Sequence, residues 1–228
     1  MKMLKLTGLA ALAAVLPFCA AQAQLNTNVT FTSVNVSIPD GNPVGLSSST
    51  NLSGIYGGIL NVTVTLDITG GFNGDLYAYL AGPSGGFAVL LNRTGITAGN
   101  SFGYSDTGFN VTFDDSAANN IHLYQNDSPN YNVGGQLINA WQPDGRNIDP
   151  QSSPSTFDST SPTADLSSFN GNSANGAWTL FVADLSSGGQ GTLVSWGLTV
   201  VTVPEPQTWV LIAGGVGLLL AVNLRRKL

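Results

Sequence analysis

Aspartate carboxylates are the main candidates for chemistry in the middle of this sequence, which has no Glu between residues 25 and 203. Four of them flank turns or the ends of apolar runs: Asp75, Asp114, Asp115 and Asp184. Carboxylates beside Gly- and Asn-rich turns are the oxygen ligands that calcium prefers. Aspartates in loops also accept hydrogen bonds from turn amides. Two interpretations therefore stay open, a calcium site and a set of turn-stabilising residues.

Catalytic arrangements find little support in the residue types. His122 is the only histidine, so a Ser-His-Asp triad would have to include it. A closed zinc site needs more His or Cys ligands than this region holds. Asp114 and Asp115 are adjacent, and neighbours on a strand point to opposite faces, so they would not converge on one glycosidic bond. We predict a protein that is not an enzyme, with His122 as a solvated or turn residue.

The first 23 residues are typical of a secretory signal, with a basic start, an apolar stretch and a small-residue cleavage motif. Lys2 and Lys5 form the basic start, and residues 6–18 form the apolar stretch. Ala21 and Ala23 belong to the cleavage motif, so cleavage would leave Gln24 as the first residue. Cys19 leaves a lipoprotein as the alternative, although Phe18 stands where a small residue would be expected. We predict export from the cytoplasm.

The last 26 residues contain three further signals in a row. Pro204, Glu205 and Pro206 come first, the apolar run 209–222 follows, and a basic cluster closes the chain with Arg225, Arg226 and Lys227. The run is close to the lower length limit for crossing a bilayer. Basic residues after it place that end in the cytoplasm. The preceding domain is then expected to face outward.

This C-terminal pattern resembles the PEP-CTERM sorting signal of Gram-negative bacteria. The resemblance implies transient anchoring in the inner membrane, recognition of the Pro204-Glu205-Pro206 element by an exosortase, and release to the cell surface or extracellular matrix. It also implies exopolysaccharide as a matrix partner. An ordinary C-terminal anchor that is never processed is the alternative.

Charge and composition restrict the partners. The chain is 43% hydrophobic and 9% charged, which fits a globular domain rather than a disordered one. Residues 25–203 carry twelve Asp against two Arg, a net charge of −10 with His neutral. Such a domain repels phosphate backbones, so we predict no nucleic-acid binding. Cations and neutral ligands remain compatible partners.

Apolar and polar residues alternate strictly over 60–68, which is typical of a strand with one buried face. Similar alternation recurs over 29–38, 109–113, 178–182 and 194–200. Turn-forming Gly, Asn, Asp, Ser and Pro separate these runs. We predict an all-β antiparallel sandwich or jelly roll over residues 25–202, with Trp178 and Trp196 in its core.

The stretch 125–166 differs because it is rich in Asn, Asp, Pro and Ser and has few alternating positions. It predicts a long excursion at one end of the sandwich, functional or mobile. Trp141 lies within it. Aromatic residues on loops commonly mark binding surfaces, so Trp141 is a candidate carbohydrate contact, with a Trp packed onto the sandwich as the alternative.

Several pieces of the sequence resemble the P domain (P/Homo B domain) that follows the protease domain in subtilisin-like proprotein convertases. They are Gly74-Asp75-Leu76, Pro83-Ser84-Gly85, Phe113-Asp114-Asp115, Gly176 to Asp184 around Trp178, and Gly191 to Leu198 around Trp196. Gln190 stands where that family usually has an acidic residue. The resemblance implies a jelly-roll module without the protease itself.

The sequence thus predicts three parts, a signal peptide over 1–23, a sandwich over 25–202 and a sorting signal over 203–228. We expect a non-catalytic structural or adhesive protein of the surface or matrix. The alternative is an accessory module that binds another exported protein or a protease.

Overall fold

The computed structural model describes residues 26–203 and, near the C-terminus, residues 215, 217, 222, 225 and 226. The strands within the first range are β1 Asn26–Ser37, β2 Asn42–Leu52, β3 Gly58–Gly70, β4 Leu76–Ala81, β5 Phe87–Asn92, β6 Gly108–Phe113, β7 Leu137–Trp141, β8 Gly176–Asp184 and β9 Gly191–Val203. A single α-helix in this range, α1, spans Pro154–Ser159, and short 3-10 helices span Asn73–Asp75, Ile121–Asp127 and Leu166–Phe169.

The strands form two sheets. One has the order β1-β9-β3-β6-β7 and the other β2-β8-β4-β5. All neighbouring pairs are antiparallel except β6 and β7, which run parallel. The prediction of an all-β fold with two sheets is confirmed, and the parallel β7 makes the larger sheet mixed rather than wholly antiparallel.

The core lies between the sheets and follows the alternation of their strands. Along β3, Val62, Val64, Leu66 and Ile68 are buried while the residues between them are not. Trp178 on β8 and Trp196 on β9 are fully buried, as predicted, and each indole N–H has an acceptor. Burying these large side chains removes much apolar surface from water, which is the main stabilising contribution to such a fold.

The first strand departs from the expected alternation. Val29 and Phe31 are 71% and 69% exposed, whereas Ile38, at the far end of the predicted run, is fully buried. The pairing of β1 with β9 shifts between Ser33 and Val36, and Asn35 has a positive φ of 51°. The apolar positions also change phase in the sequence between Phe31 and Val34, so Val29 and Phe31 lie on the opposite face of the sheet from Val34 and Ile38.

The stretch 125–166 is integrated into the domain rather than a free excursion. It contains β7 and α1, and it pairs with the edge of β5 through Val89 N to Ala164 O at 2.9 Å and Asp144 N to Leu90 O at 3.1 Å. Phe157 of α1 is fully buried. Because the segment supplies core side chains and covers a sheet edge, the expectation of a mobile loop is wrong for this part.

The signal-peptide residues, including Ala21, Ala23 and Gln24, lie outside the described residues. The same is true of Pro204, Glu205, Pro206 and Lys227, whereas Arg225 and Arg226 are described and exposed. None of the helices in the described part of the chain combines the length and apolar character needed to cross a membrane.

Candidate functional site

An open pocket of about 520 Å³ lies at the end of the sandwich where β4 begins and β8 ends. Three segments build it, the 3-10 turn Asn73–Asp75, the loop that follows β5, and the loop joining β8 to β9. Its walls include three aromatic side chains, and Asp75, Ser186 and Ser187 supply polar groups. We call it the aromatic–acid pocket.

Asp75 is held in place by the buried turn before β4. The Asn73 side chain accepts a hydrogen bond from Gly108 N at 2.7 Å and donates to the Tyr124 hydroxyl at 3.0 Å. At Gly74 a Cβ would lie 2.5 Å from Phe102 O, so only glycine lets the two backbones approach this closely. The turn is therefore a rigid support for the carboxylate beside it.

The aromatic wall comes from Phe72, Phe102 and Tyr104. Phe102 is 84% exposed and Phe72 39%, whereas Tyr104 is half-buried with its ring packed edge-on against Tyr124 at 4.7 Å. Backbone hydrogen bonds fix the loop, from Gly74 N to Tyr104 O at 2.8 Å and from Tyr104 N to Thr94 O at 3.0 Å. Phe102 thus remains accessible on a well-anchored loop, and Phe72 is partly exposed next to the 3-10 turn before β4.

Asp184, at the end of β8, lies next to Asp75 because it pairs with Leu76 across the sheet. Its side chain is fully buried, and Oδ1 accepts from Ser186 N at 3.3 Å while Oδ2 has no hydrogen-bond partner among the described residues. Burial raises the pKa of Asp184 to about 6, and the nearby charge of Asp75 acts in the same direction. Burial also raises the pKa of Asp75.

Arg93 is the basic residue of this region. Its Nε donates to Gly74 O at 3.3 Å and its Nη2 to the Ser186 hydroxyl at 3.4 Å. Burial lowers the pKa of Arg93, and its positive charge partly offsets the raised pKa of Asp75. The guanidinium compensates one carboxylate, which leaves Asp184 without a counter-charge of its own.

Asp114 and Asp115 lie at the opposite end of β6. The near end of β6 begins at Gly108, which contacts Asn73 next to Asp75. Asp114 follows the far end of this strand, roughly 20 Å away. The Asp114 carboxylate accepts from Ser116 N and Oγ at 2.8 and 2.7 Å, and Asp115 accepts from Leu166 N and Ser167 N at 3.1 and 2.7 Å. Both behave as turn-stabilising residues.

The four aspartates predicted as one group are therefore split between the two ends. Within the described residues, no three His, Cys, Asp or Glu side chains lie close enough together to hold a metal ion. Asp75 and Asp184 remain neighbours at one end, where Asp75 lines the aromatic–acid pocket and Asp184 is buried beside it.

His122 is neither solvated nor free. It is 2% exposed, its Nδ1 lies 2.7 Å from Asp144 Oδ2, and its Nε2 lies 2.9 Å from Ile96 O. Arg146 contacts the other oxygen of Asp144 at 3.2 Å, and the Phe157 ring stacks on the imidazole. Of the two expectations for His122, a turn residue fits, since it lies in the 3-10 helix Ile121–Asp127, and a solvated residue is wrong, because the stretch 125–166 folds back and buries it. With both ring nitrogens engaged, the ring is closed to a substrate.

Trp141 is a core residue rather than a surface contact. It ends β7, is 5% exposed, and its indole N–H donates to Ile138 O at 2.9 Å. Its ring packs against the buried Tyr124 at 6.1 Å. The prediction that Trp141 contacts a carbohydrate is therefore wrong, and the alternative, a Trp packed onto the sandwich, describes it.

Two serines, Ser84 and Ser101, stand in Gly-x-Ser-x-Gly sequences. Neither occupies a strand-to-helix elbow, since Ser84 lies in the turn between β4 and β5 and Ser101 in the loop after β5. The Ser84 hydroxyl donates to Ser173 O at 3.1 Å. These serines do not form a nucleophile site with the buried His122.

The aromatic–acid pocket was only partly accessible to sequence reasoning. Asp75 was selected as a site candidate, but Phe72, Phe102 and Tyr104 were not, because they come from separate loops that only the fold brings together. The Gly-rich sequence on either side of Phe72 was the one available signal of an exposed aromatic residue.

Residues 143–200 match the family model of the proprotein convertase P-domain. The matched segment includes α1, β8 and most of β9. It supports the resemblance to a P domain, a non-catalytic accessory module. No curated protein matches the chain.

Two solved structures are similar in part. The serine protease of Aeromonas sobria has a TM-score of 0.43 at 17% identity, covering 79% of this chain and 28% of that one. The same protease in complex with the chaperone ORF2 has a TM-score of 0.42 at 17% identity, covering 80% and 28%. The chain thus spans less than a third of the length of either protein.

Proposed function

We propose that this protein is an exported, non-catalytic structural or adhesive component of the cell surface or extracellular matrix. Export machinery carries it across the inner membrane, its tail holds it there transiently, and an exosortase releases it. Exopolysaccharide is the matrix partner in this proposal.

The observation that carries the non-catalytic part is the closed pair of His122 and Asp144. The single histidine has both nitrogens engaged inside the domain, and the pair of Asp114 and Asp115 is occupied by backbone amides. The aromatic–acid pocket, in contrast, is open, and its aromatic walls are suited to binding a ligand. The P-domain match over 143–200 supports the same conclusion.

The sorting part of the proposal is supported by the sequence of the C-terminal segment, with Pro204-Glu205-Pro206, the apolar run 209–222 and the basic cluster in order. The test is the mass and location of the protein in cells with and without active exosortase. We expect a species that starts at Gln24 and ends near the Pro204-Glu205-Pro206 element, outside the membrane only when the enzyme is present. Full-length tail retained in the membrane in both strains would contradict sorting.

Calcium at the Asp75 and Asp184 end is the proposed bound ion. Support comes from Asp184 Oδ2, a buried carboxylate oxygen without a hydrogen-bond partner in the described domain, since such an atom is stabilised by a cation. We expect millimolar calcium to raise the melting temperature of the full chain and to have no effect on Asp184→Asn. Asp115→Asn, at the other end, is the control that should keep the response. An unchanged melting temperature of the unmodified chain in calcium would contradict the proposed site.

An accessory module for another exported protein is the second candidate, and the P-domain match favours it. The two candidates differ in the partner. Co-purification of one exported enzyme in a fixed ratio, with loss of that enzyme's activity when this chain is deleted, would favour the accessory role. Retention in a polysaccharide fraction without such an enzyme would favour the matrix role.

A further inference from the structure

We infer that the aromatic–acid pocket binds an amino sugar, a sugar unit with a free ammonium group, within a matrix polysaccharide. The inference deepens the proposed matrix role and rests on it for the source of the sugar. Its geometry, however, is a property of the pocket itself. Three observations carry it: exposed aromatic rings, an excess of buried or nearby carboxylates, and a set of serine hydroxyls.

The aromatic rings supply the first element. Phe102 is 84% exposed on a loop that is fixed by backbone hydrogen bonds on either side of Gly103. Large apolar rings held in this way beside a pocket are typical of a binding surface. A ring face attracts both the C–H groups of a sugar and an ammonium group, since the π face is negative.

Charge supplies the second element. Asp75 lines the pocket, and the charge of Asp40 raises its pKa. The charges of Asp75 and Asp40 also raise the pKa of the neighbouring Asp184. The charge of Asp106 raises the pKa of Tyr104 in the pocket wall. Arg93 alone opposes them within this part of the described domain. The negative charge in and around the pocket, led by Asp75 in its wall, favours a cationic ligand and disfavours uronate or sulfate polymers.

Hydroxyl groups supply the third element and favour a sugar over a lysine side chain. Ser105, Ser186 and Ser187 line the pocket together with the aromatic rings and Asp75. A sugar ring offers hydroxyls to these serines at the same time as it offers a C–H face to Phe102. A lysine side chain would leave the serine hydroxyls without partners from the ligand.

The probe is a labelled chitosan hexamer, added to the full-length protein in 150 mM salt without calcium at pH 6, where most of its amines are protonated. Chitin hexamer, its neutral acetylated form, and a hexalysine peptide are the comparison ligands. We expect saturable binding of the chitosan hexamer, at least ten-fold weaker binding of the other two, and a ten-fold loss on Phe102→Ala or Asp75→Asn.

Matched controls separate the pocket from general attraction to an acidic protein. Tyr56→Ala removes another aromatic residue that is 79% exposed, and Asp149→Asn removes an Asp on the loop after β7, so each should bind like the unmodified chain. Equal loss in all four variants, no binding of the chitosan hexamer, or tighter binding of hexalysine would overturn the inference. Sorting by exosortase is scored separately in cells, so its failure leaves this measurement intact.

Discussion

At the scale of single residues, the fold decides how each carboxylate is used. Asp114 and Asp115 satisfy backbone amides near the surface, Asp144 forms a buried pair with His122, and Asp184 is buried with one oxygen unpartnered. A buried carboxylate oxygen without a hydrogen-bond partner costs free energy. The uneven treatment of chemically identical side chains therefore singles out Asp184.

Asp184→Asn is expected to change how stability depends on pH. The folded-state pKa is about 6 against an ordinary 3.8, so the folded protein binds this proton more tightly than the unfolded chain. The favourable contribution is present below about 4 and is lost as the pH rises through 6. Asparagine carries no charge to bury. The free energy of unfolding of the variant minus that of the unmodified chain should therefore be up to roughly 3 kcal/mol larger at pH 8 than at pH 4.

Urea unfolding of both forms at pH 4 and pH 8 measures this effect, because the other carboxylates cancel in the comparison. A stability difference between the two forms that stays constant over this range would contradict the raised pKa of Asp184.

His122→Ala should destabilise the domain by roughly 3 kcal/mol, since it leaves the Asp144 carboxylate buried with only Arg146 and leaves Ile96 O unpaired. Asp144→Asn should cost a similar amount. If the pair acts as one unit, the double variant will lose less than the sum of the two single losses. Additive losses, measured by denaturant unfolding, would show that the two side chains act independently.

At the scale of elements, glycines determine how the strands and turns approach each other. Gly45 in β2 has φ of +58°, and a Cβ there would lie 2.5 Å from Val182 O and 2.7 Å from the Phe181 ring. The pairing of β2 with β8 is irregular between Asn42 and Leu46 at this point. Gly45 therefore permits a bulge in which β2 and β8 approach closely, and any side chain at this position would push the two strands apart.

Gly45→Ala and Gly54→Ala form a matched pair that tests this. Gly54 has φ of +72° but open space where a Cβ would be added. The backbone conformation alone should cost Gly54→Ala about 1 kcal/mol, and the added collision should make Gly45→Ala lose at least about 3 kcal/mol. Equal thermal shifts in the two variants would mean that close packing at the bulge adds nothing.

At the scale of the whole molecule, the excess of aspartate shapes both stability and partner choice. A net charge of −10 over residues 25–203 repels itself in the compact state and repels polyanions. The carboxylates are spread over both ends of the sandwich, so the repulsion is long-range and sensitive to salt.

Raising the salt concentration from 10 to 200 mM at pH 7.5 should increase the melting temperature by a few degrees, because screening weakens this repulsion. At pH 4, where many carboxylates are protonated, the same change should have a smaller effect. A salt response that is equal at both pH values would point to a cause other than carboxylate repulsion.

The all-β class, the two core tryptophans and most of the long strands were predictable from the sequence, because alternation with period two reports directly which side chains face a core. β3, β6, β8 and β9 coincide with the alternating runs. The sequence did not reveal β2, β4, β5 or β7. The runs of β4 and β5 are short, and β2 alternates only weakly because it lies at a sheet edge.

Only the tertiary structure decided which polar residues act together. The separation of Asp75 from Asp114, the closure of His122 by Asp144, and the meeting of Phe72 with Phe102 all join residues that are distant in sequence. Local patterns determine the face on which a side chain lies, whereas its neighbours depend on strand order and loop path. That is why the residue types were readable from the sequence and the aromatic–acid pocket was not.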